Sequence, residues 1–261
     1  MTTPTALITG ASSGIGAEYA RQLAGRGYDL ILVARRENRL SALAESLPVN
    51  ARVVQADLTA PDDLERIATL IADEPSLGVL VNNAGTTAIG AYDQLSPEQA
   101  STMLHLNVTA VERLARAAFA AFRSAGRGSI INISSAVAMG VYPGTVLYSA
   151  TKAFVMMLSE GMAAEAEGSN VRVQAVLPAA VESEIYEVAG VDLSQLPPEI
   201  VMTASNMVAA ALAGLDAGEV LTLPSLEEGM RLDEALAARQ RVFDVLQSGT
   251  PASRYGLSPA A

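Results

Sequence analysis

The fold of this 261-residue chain is decided by the stretch Thr9-Gly10-Ala11-Ser12-Ser13-Gly14-Ile15-Gly16. It joins a short apolar run at residues 6–9, which predicts a strand, to a helical pattern over residues 14–26. Glycines in such a turn let the backbone approach a ligand closely, and the helix N-terminus offers free N–H groups and a positive dipole end. The order strand, glycine-spaced turn, helix therefore indicates a pyrophosphate-binding turn, with an ordinary tight turn as the alternative.

Strands and helices alternate along the rest of the chain. The predicted strands after the first are residues 28–34, 52–56, 79–82, 129–134, 171–177 and 220–223. The predicted helices are 37–47, 61–72, a broken helix from a capping box at Ser96 to about 123, then 147–167 and 199–215. About seven apolar strands alternating with helices predict an α/β fold in three layers, with a parallel sheet covered on both faces. We predict a single domain over residues 1–261.

Two later segments have open interpretations. Residues 182–200 are acidic, contain a Pro-Pro pair and are too long for an ordinary connection. We predict that they form a substrate lid, because ligands of α/β sheets bind at the carboxyl ends of strands; a surface loop is the alternative. Residues 227–261 predict a charged helix and a tail, which could form an oligomer contact, a pocket wall or a plain solvated helix.

Composition excludes several classes of function. The chain has no cysteine and one histidine, His105, so a thiol nucleophile, a structural zinc site and any other metal site are not expected. A net charge of −11 disfavours a nucleic-acid partner. The sequence shows neither a signal peptide nor an apolar run that could span a membrane. We therefore expect a cytoplasmic protein with no membrane partner.

The candidate catalytic residues are Tyr148, Lys152 and Ser135. Tyr148 and Lys152 are four residues apart, so they share one face of a helix. A nearby ammonium favours the ionised phenol, and we expect it to lower the pKa of Tyr148 from about 10. Such a phenol could exchange a proton with a substrate oxygen.

Two arginines follow the second predicted strand, at the position where an acidic residue would bind a ribose 2′-hydroxyl. Arg35 and Arg36 instead suit a 2′-phosphate, which favours NADP(H) over NAD(H) as the cofactor. The alternative is a solvated basic start of a helix, although basic charge there is unfavourable with the helix dipole.

Together these motifs resemble the short-chain dehydrogenase/reductase family. The resemblance includes the glycine turn, Asn82-Asn83-Ala84-Gly85, Ser135 and the Tyr148–Lys152 pair, and it extends over about residues 6–223. It implies a Rossmann-type doubly wound parallel sheet and hydride transfer between a nicotinamide and a carbonyl or alcohol carbon.

The resemblance also implies roles for single residues. Tyr148 would be the acid in reduction and the base in oxidation, Lys152 would bind the nicotinamide ribose, and Ser135 would polarise the substrate oxygen. Ser134 would point the opposite way along the strand. Asn107 would hold a water in a proton relay.

The implied cofactor site is larger. Its residues are Gly10, Ser12, Ser13, Gly14, Ile15, Gly16, Arg35, Arg36, Asp57, Leu58, Asn83, Ala84, Gly85, Tyr148, Lys152, Pro178, Val181 and Ser183. The family usually has Pro-Gly after the sixth strand, whereas this chain has Pro178-Ala179, which limits the backbone angles there.

The sequence thus predicts an NADP(H)-dependent oxidoreductase acting on a carbonyl or secondary alcohol of a mid-sized, mostly apolar substrate. Pocket candidates are residues 86–92, 137–142 and 182–191. Helices 107–122 and 147–166 carry apolar residues on more than one face, which predicts a homodimer. The alternatives are a non-catalytic cofactor-binding sensor or scaffold and a nucleotide-sugar epimerase or dehydratase. The spacing of the glycines at positions 10, 14 and 16 disfavours the latter.

Overall fold

The structure is a computed structural model that describes residues 3–188, 190, 192, 197–227 and 232–257. The side chains of residues 187 and 188 are outside this description. The chain divides into two compact units, Met1–Pro224 and Ser225–Ala261.

The first unit is built on a parallel sheet. Its strands are β1 (Thr5–Thr9), β2 (Asp29–Ala34), β3 (Ala51–Gln55), β4 (Leu77–Asn82), β5 (Gly128–Ile133), β6 (Val171–Val176) and β9 (Leu221–Thr222), in the spatial order β3-β2-β1-β4-β5-β6-β9. Each neighbouring pair is parallel. The order reverses at β1, so the carboxyl ends of β1 and β4 form the edge where ligands bind in such sheets.

Helices cover both faces of this sheet. They are α1 (Gly14–Gly25), α2 (Glu37–Glu45), α3 (Pro61–Asp73), α4 (Pro97–Leu104), α5 (Ala110–Ala125), α6 (Val146–Glu165), α7 (Ile185–Val188) and α8 (Ala204–Ala217). Tyr19 of α1 and Met207 of α8 belong to the core on one face. Ile67 of α3 and Phe122 of α5 belong to the core on the other. The fold is therefore the predicted three-layer, Rossmann-type α/β fold with a seven-stranded sheet.

The order of these strands and helices along the chain agrees with the sequence prediction, and most boundaries differ by one or two residues. The capping box is present: the Ser96 hydroxyl accepts from Gln99 N–H at 3.2 Å, and the Gln99 side chain accepts from Ser96 N–H at 3.1 Å. The predicted break in the following helix is a wide turn at His105–Thr109, between α4 and α5.

One region differs from the prediction. The helix predicted from residue 199 begins at Ala204, after a one-turn helix at Pro198–Ile200 and a short strand, β8 (Val201–Met202). This strand pairs in parallel with β7 (Ala180–Val181), so the segment after β6 has a small sheet of its own. The Thr203 hydroxyl accepts from Asn206 N–H and fixes the later helix start, because a capped N-terminus outweighs general helix propensity.

The second unit contains one long helix. It is α9 (Leu232–Val245), followed by a short turn at Ser253–Tyr255. The sequence predicts a helix over residues 227–246, and the part at residues 228–231 is outside the described residues. Val242 and Phe243 of α9 are exposed.

Within the described residues, no helix is both long enough and apolar enough to cross a bilayer.

Candidate functional site

The glycine turn is held against the end of β4. The Thr9 hydroxyl accepts from the N–H groups of Asn83 and Ala84, each at 3.0 Å, and the Asn83 amide donates to the Thr9 carbonyl at 2.9 Å. Gly10 and Gly14 adopt positive φ angles of 66° and 51°, which favour glycine. The turn and the Asn83–Gly85 segment are therefore one rigid unit at the predicted ligand edge.

Close packing explains a further glycine of the turn. A Cβ added to Gly16 would lie 2.3 Å from the Gly10 carbonyl oxygen, so no larger side chain fits without a shift. Ser13 occupies the N-cap of α1, but its side chain makes no capping hydrogen bond. The first N–H groups of α1, at Gly14, Ile15 and Gly16, have no acceptor within the helix. They are donors suited to an anion, as the glycine turn predicts.

The two arginines after β2 lie in different environments. Arg36 is half-buried, and its guanidinium donates to the Ser12 hydroxyl at 3.0 Å and to the Ser13 hydroxyl at 2.9 Å. Arg35 is exposed. The structure thus places Arg36, and not Arg35, beside the glycine turn.

Asp57 and Leu58 follow the end of β3. The Asp57 carboxylate accepts from the backbone and hydroxyl of Thr59, at 3.0 and 2.8 Å, and Leu58 is buried. Asp57 N–H donates to Asp63 at 2.7 Å, which lowers the pKa of the Asp63 carboxyl. These bonds fix the loop in place at the same edge of the sheet.

Ser135, Tyr148 and Lys152 come together at the ends of β5 and α6. The Ser135 hydroxyl lies close enough to the Tyr148 phenol to influence its pKa, and Ser135 donates to the Pro178 carbonyl at 3.4 Å. The Lys152 ammonium lies 5.5 Å from the centre of the Tyr148 ring. Ser134 turns away, as expected, and donates to the Lys152 carbonyl.

The electrostatics of this cluster differ from the sequence expectation. Part of the Tyr148 side chain reaches solvent, but its phenol is desolvated, and burial raises the pKa of Tyr148 instead of lowering it. Lys152 is 5% exposed, and its ammonium donates to the Ile133 carbonyl at 2.9 Å. Burial lowers the pKa of Lys152 to about 8. Desolvation disfavours both charged forms, and it is the largest cause of both shifts.

Asn107 lies in the wide turn between α4 and α5 and is fully buried. Its side chain accepts from Thr86 N–H at 2.9 Å, donates to the Thr86 carbonyl at 2.8 Å and donates to the Thr151 hydroxyl at 3.2 Å. A Cβ on Gly85 would lie 3.3 Å from Asn107 Oδ1 and 3.6 Å from Lys152 Nζ. Asn107 thus borders the catalytic cluster through Gly85.

The segment after β6 closes the other side of the site. The Pro178 carbonyl accepts from Ala136 N–H at 2.8 Å, and Val181 is buried in β7. The Ser183 hydroxyl donates to the Val181 carbonyl at 3.1 Å. A Cβ on Gly14 would lie 3.3 Å from Ser183 Cβ, so this segment contacts the glycine turn.

Two residues of the predicted lid, Tyr186 and Glu184, interact with site residues in ways that the sequence did not indicate. The Tyr186 phenol is close enough to Tyr148 to raise its pKa further. The Glu184 carboxylate forms ion pairs with Arg36 and Arg39. No sequence spacing links position 184 to positions 36 and 39; the only signal was an acidic segment in a chain that has arginines after its second strand. The part of the lid at residues 189, 191 and 193–196 is outside the described residues, and Val191 is among them.

His105 is an exposed helix residue whose ring nitrogen donates to the Ser101 carbonyl at 2.8 Å. Across the described part of the chain, no three His, Cys, Asp or Glu side chains cluster as metal ligands.

The residues present fit a nicotinamide dinucleotide. The uncapped amides of α1 and the Arg36 guanidinium are donors for phosphate oxygens. Ser135, Tyr148 and Lys152 lie at the ends of β5 and α6, and Gly85 brings the end of β4 next to Lys152.

Comparison with known proteins agrees with this geometry. Residues 4–192 match the family model described as short chain dehydrogenase. A short-chain dehydrogenase from Sphingobium yanoikuyae in complex with NADPH is 43% identical, with a TM-score of 0.92, over 97% of this chain and all of that one. The bulky-bulky ketone specific alcohol dehydrogenase from Comamonas testosteroni is 41% identical, with a TM-score of 0.88, over 98% of this chain and 99% of that one.

A curated relative is more distant. The human 17-beta-hydroxysteroid dehydrogenase type 3 is 33% identical over 184 residues, which are 68% of this chain and 59% of that protein. The chain belongs to the short-chain dehydrogenase/reductase family, whose members are oxidoreductases that act on alcohol and ketone groups.

Proposed function

We propose that this protein is an NADP(H)-dependent oxidoreductase that interconverts a ketone and a secondary alcohol, with Tyr148 as the acid in reduction. The placement of the Ser135 hydroxyl beside the Tyr148 phenol, with the Lys152 ammonium 5.5 Å from the phenol ring, carries this proposal. NADP(H) supplies the hydride. The chain itself has to orient the carbonyl and move one proton.

Reduction of a carbonyl requires Tyr148 in its protonated form. A phenol that stays protonated at neutral pH is in the form that donates a proton to a carbonyl oxygen. The Ser135 hydroxyl lies close enough to this phenol to influence its pKa, so one substrate oxygen could contact both hydroxyls. The nearby Lys152 charge would stabilise the phenolate that remains after the proton leaves.

The cofactor contacts are proposed residue by residue. The amides of Gly14, Ile15 and Gly16 would bind the pyrophosphate, and Arg36 with Ser12 and Ser13 would bind the 2′-phosphate. Support for Arg36 comes from its position 2.9 to 3.0 Å from the two serine hydroxyls. The remaining predicted cofactor residues are Gly10, Asp57, Leu58, Asn83, Ala84, Gly85, Tyr148, Lys152, Pro178, Val181 and Ser183.

Apolar side chains near the catalytic cluster support a bulky substrate. The loops 86–92 and 139–144 are joined by a hydrogen bond from Gly90 N–H to the Gly144 carbonyl at 2.9 Å. Exposed apolar residues on them are Ile89, Tyr92, Met139, Val141 and Tyr142. The bulky-bulky ketone specificity of the Comamonas enzyme supports a ketone with large apolar groups on both sides.

The homodimer and the cytoplasmic location also remain proposals. Exposed Phe154 and Met157 on α6 support an interface on that helix. Analytical ultracentrifugation at micromolar concentration should give a dimer, and a monomer would refute this part of the proposal.

The test is the Tyr148→Phe variant, assayed for NADPH oxidation with a panel of diaryl and bicyclic ketones. Loss of the acid should lower kcat by about 10² to 10⁴-fold, while NADPH affinity stays within about twofold, because the phenyl ring preserves packing. Tyr28→Phe is the matched control and should keep its activity, because Tyr28 lies before β2, at the opposite edge of the sheet. Full activity in Tyr148→Phe would contradict the assigned acid, and NADPH binding without turnover of any carbonyl by the unmodified protein would favour a non-catalytic sensor.

A further inference from the structure

Glu184 links the segment after β7 to the adenine side of the site. One of its carboxylate oxygens lies 2.7 Å from Arg36 Nη1, and the other contacts Arg39 Nη1. Its side chain also bonds to Ser13, and these partners lower the pKa of Glu184 to about 2. The carboxylate is therefore ionised at any physiological pH.

The partners of Glu184 form an anion site. The Arg36 guanidinium reaches both serines of the glycine turn and the glutamate at the same time. Planar guanidinium groups with several N–H donors bind carboxylates and phosphates in the same way. The side chains involved are only partly exposed, at 41% for Arg36 and 35% for Glu184. A carboxylate thus occupies donors that a 2′-phosphate would need.

We propose that Glu184 is a specificity-determining residue that competes with the cofactor 2′-phosphate for Arg36 and Arg39. This inference rests on the proposed role of Arg36 in NADP(H) binding. Two guanidinium groups and one carboxylate leave a net charge of about +1, whereas a phosphate dianion added to them would leave about −1. Repulsion between the two anions therefore displaces Glu184 when the phosphate binds.

Displacement of Glu184 would also affect the part of the site near Tyr148. Glu184 is next to Ser183, which contacts the glycine turn, and two residues before Tyr186, whose phenol influences Tyr148. A cofactor with a 2′-phosphate would release this segment from the arginines, and one without it would leave the ion pairs in place. Cofactor choice and the position of the segment are therefore coupled.

The test uses adenine-end fragments, so that it does not depend on turnover. The binding of 2′,5′-ADP and of 5′-ADP is measured by calorimetry on the full-length protein and on Glu184→Gln. We expect Glu184→Gln to bind 2′,5′-ADP about tenfold more tightly, about 1.4 kcal/mol, and 5′-ADP with unchanged affinity. Glu182→Gln is the matched control, since Glu182 is exposed on the same segment, and it should not change either affinity.

Hydrogen exchange gives a second readout. In the unmodified protein, the amides of residues 183–188 should exchange faster with 2′,5′-ADP than with 5′-ADP. Unchanged or weaker binding of 2′,5′-ADP by Glu184→Gln would overturn the inference.

The two proposals fail in different ways. If the unmodified protein prefers 2′,5′-ADP, and Arg36→Ala removes this preference while Glu184→Gln has no effect, only the competition is wrong. If neither the unmodified protein nor Glu184→Gln distinguishes the two fragments, the proposed NADP(H) specificity is wrong and the competition is wrong with it.

Discussion

The buried ammonium of Lys152 should lower the free energy of unfolding of this protein. Its ammonium is buried, with 5% of the residue exposed, and it donates to the Ile133 carbonyl at 2.9 Å. Burial lowers its pKa from 10.5 to about 8. A change of one in the pKa corresponds to about 1.4 kcal/mol, so the buried charge costs about 3 kcal/mol at neutral pH.

Replacing the lysine by methionine removes this cost. Lys152→Met keeps a long unbranched side chain and leaves the Ile133 carbonyl without this donor, which offsets about 1 kcal/mol. We expect a net gain of about 2 kcal/mol in the free energy of unfolding at pH 7, or about 4 °C in Tm for a chain of this length. Turnover should be lost at the same time.

The stability of the unmodified protein should depend on pH in the alkaline range. Between pH 8 and 10.5 the unfolded lysine holds its proton and the folded one does not, so stability rises with pH in this window. The advantage of Lys152→Met should be largest below pH 8 and should disappear above 10.5. Urea unfolding followed by circular dichroism measures this difference.

The pKa itself can be measured directly. Lys152 is the one lysine in the chain, so protein labelled with ¹³C at the lysine ε carbon gives a single side-chain resonance to titrate. A midpoint near 10.5, or a Lys152→Met variant less stable than the unmodified protein at pH 7, would refute the desolvation argument.

Two further predictions concern the turn and its arginine. Gly16→Ala should destabilise the fold by about 1–3 kcal/mol in urea unfolding, because its Cβ would lie 2.3 Å from the Gly10 carbonyl. Gly25→Ala, where no atom lies within 4 Å, should not; equal stability of the two variants would contradict the packing argument. Arg36→Ala should weaken NADPH binding about 10- to 100-fold, since it loses charged hydrogen bonds, and leave NADH binding unchanged by coenzyme fluorescence. The same loss of NADPH affinity in Arg35→Ala would show that the half-buried position of Arg36 does not determine which arginine binds the 2′-phosphate.

Local patterns were sufficient to predict the sheet. Each strand is an apolar run between turn residues, and the glycine turn, the capping box at Ser96 and the break near Asn107 are short-range signals. Each of these features is determined by residues that are close together in the chain, so the sequence alone predicts it. Alternation with helices predicts parallel pairing, and the doubly wound arrangement of the strands was implied by the resemblance to the family.

The features that the sequence did not predict depend on contacts between residues that are far apart in the chain. The pairing of β7 with β8 joins Ala180 to Val201, and neither two-residue strand has a periodic pattern. The expected low pKa of Tyr148 was wrong because the phenol is itself desolvated by burial, and spacing along a helix does not reveal burial. Glu184 reaches Arg36 across the glycine turn, a contact that only the folded chain creates.

The most direct test of the central claim is binding of NADPH and NADH, followed by the fluorescence of the coenzyme itself, since the chain has no tryptophan. We expect both to bind, and NADPH to bind more than about tenfold more tightly, a difference of about 1.4 kcal/mol. Equal or tighter binding of NADH would contradict the role of Arg36, and binding of neither would contradict the assignment of a nicotinamide site to this edge of the sheet.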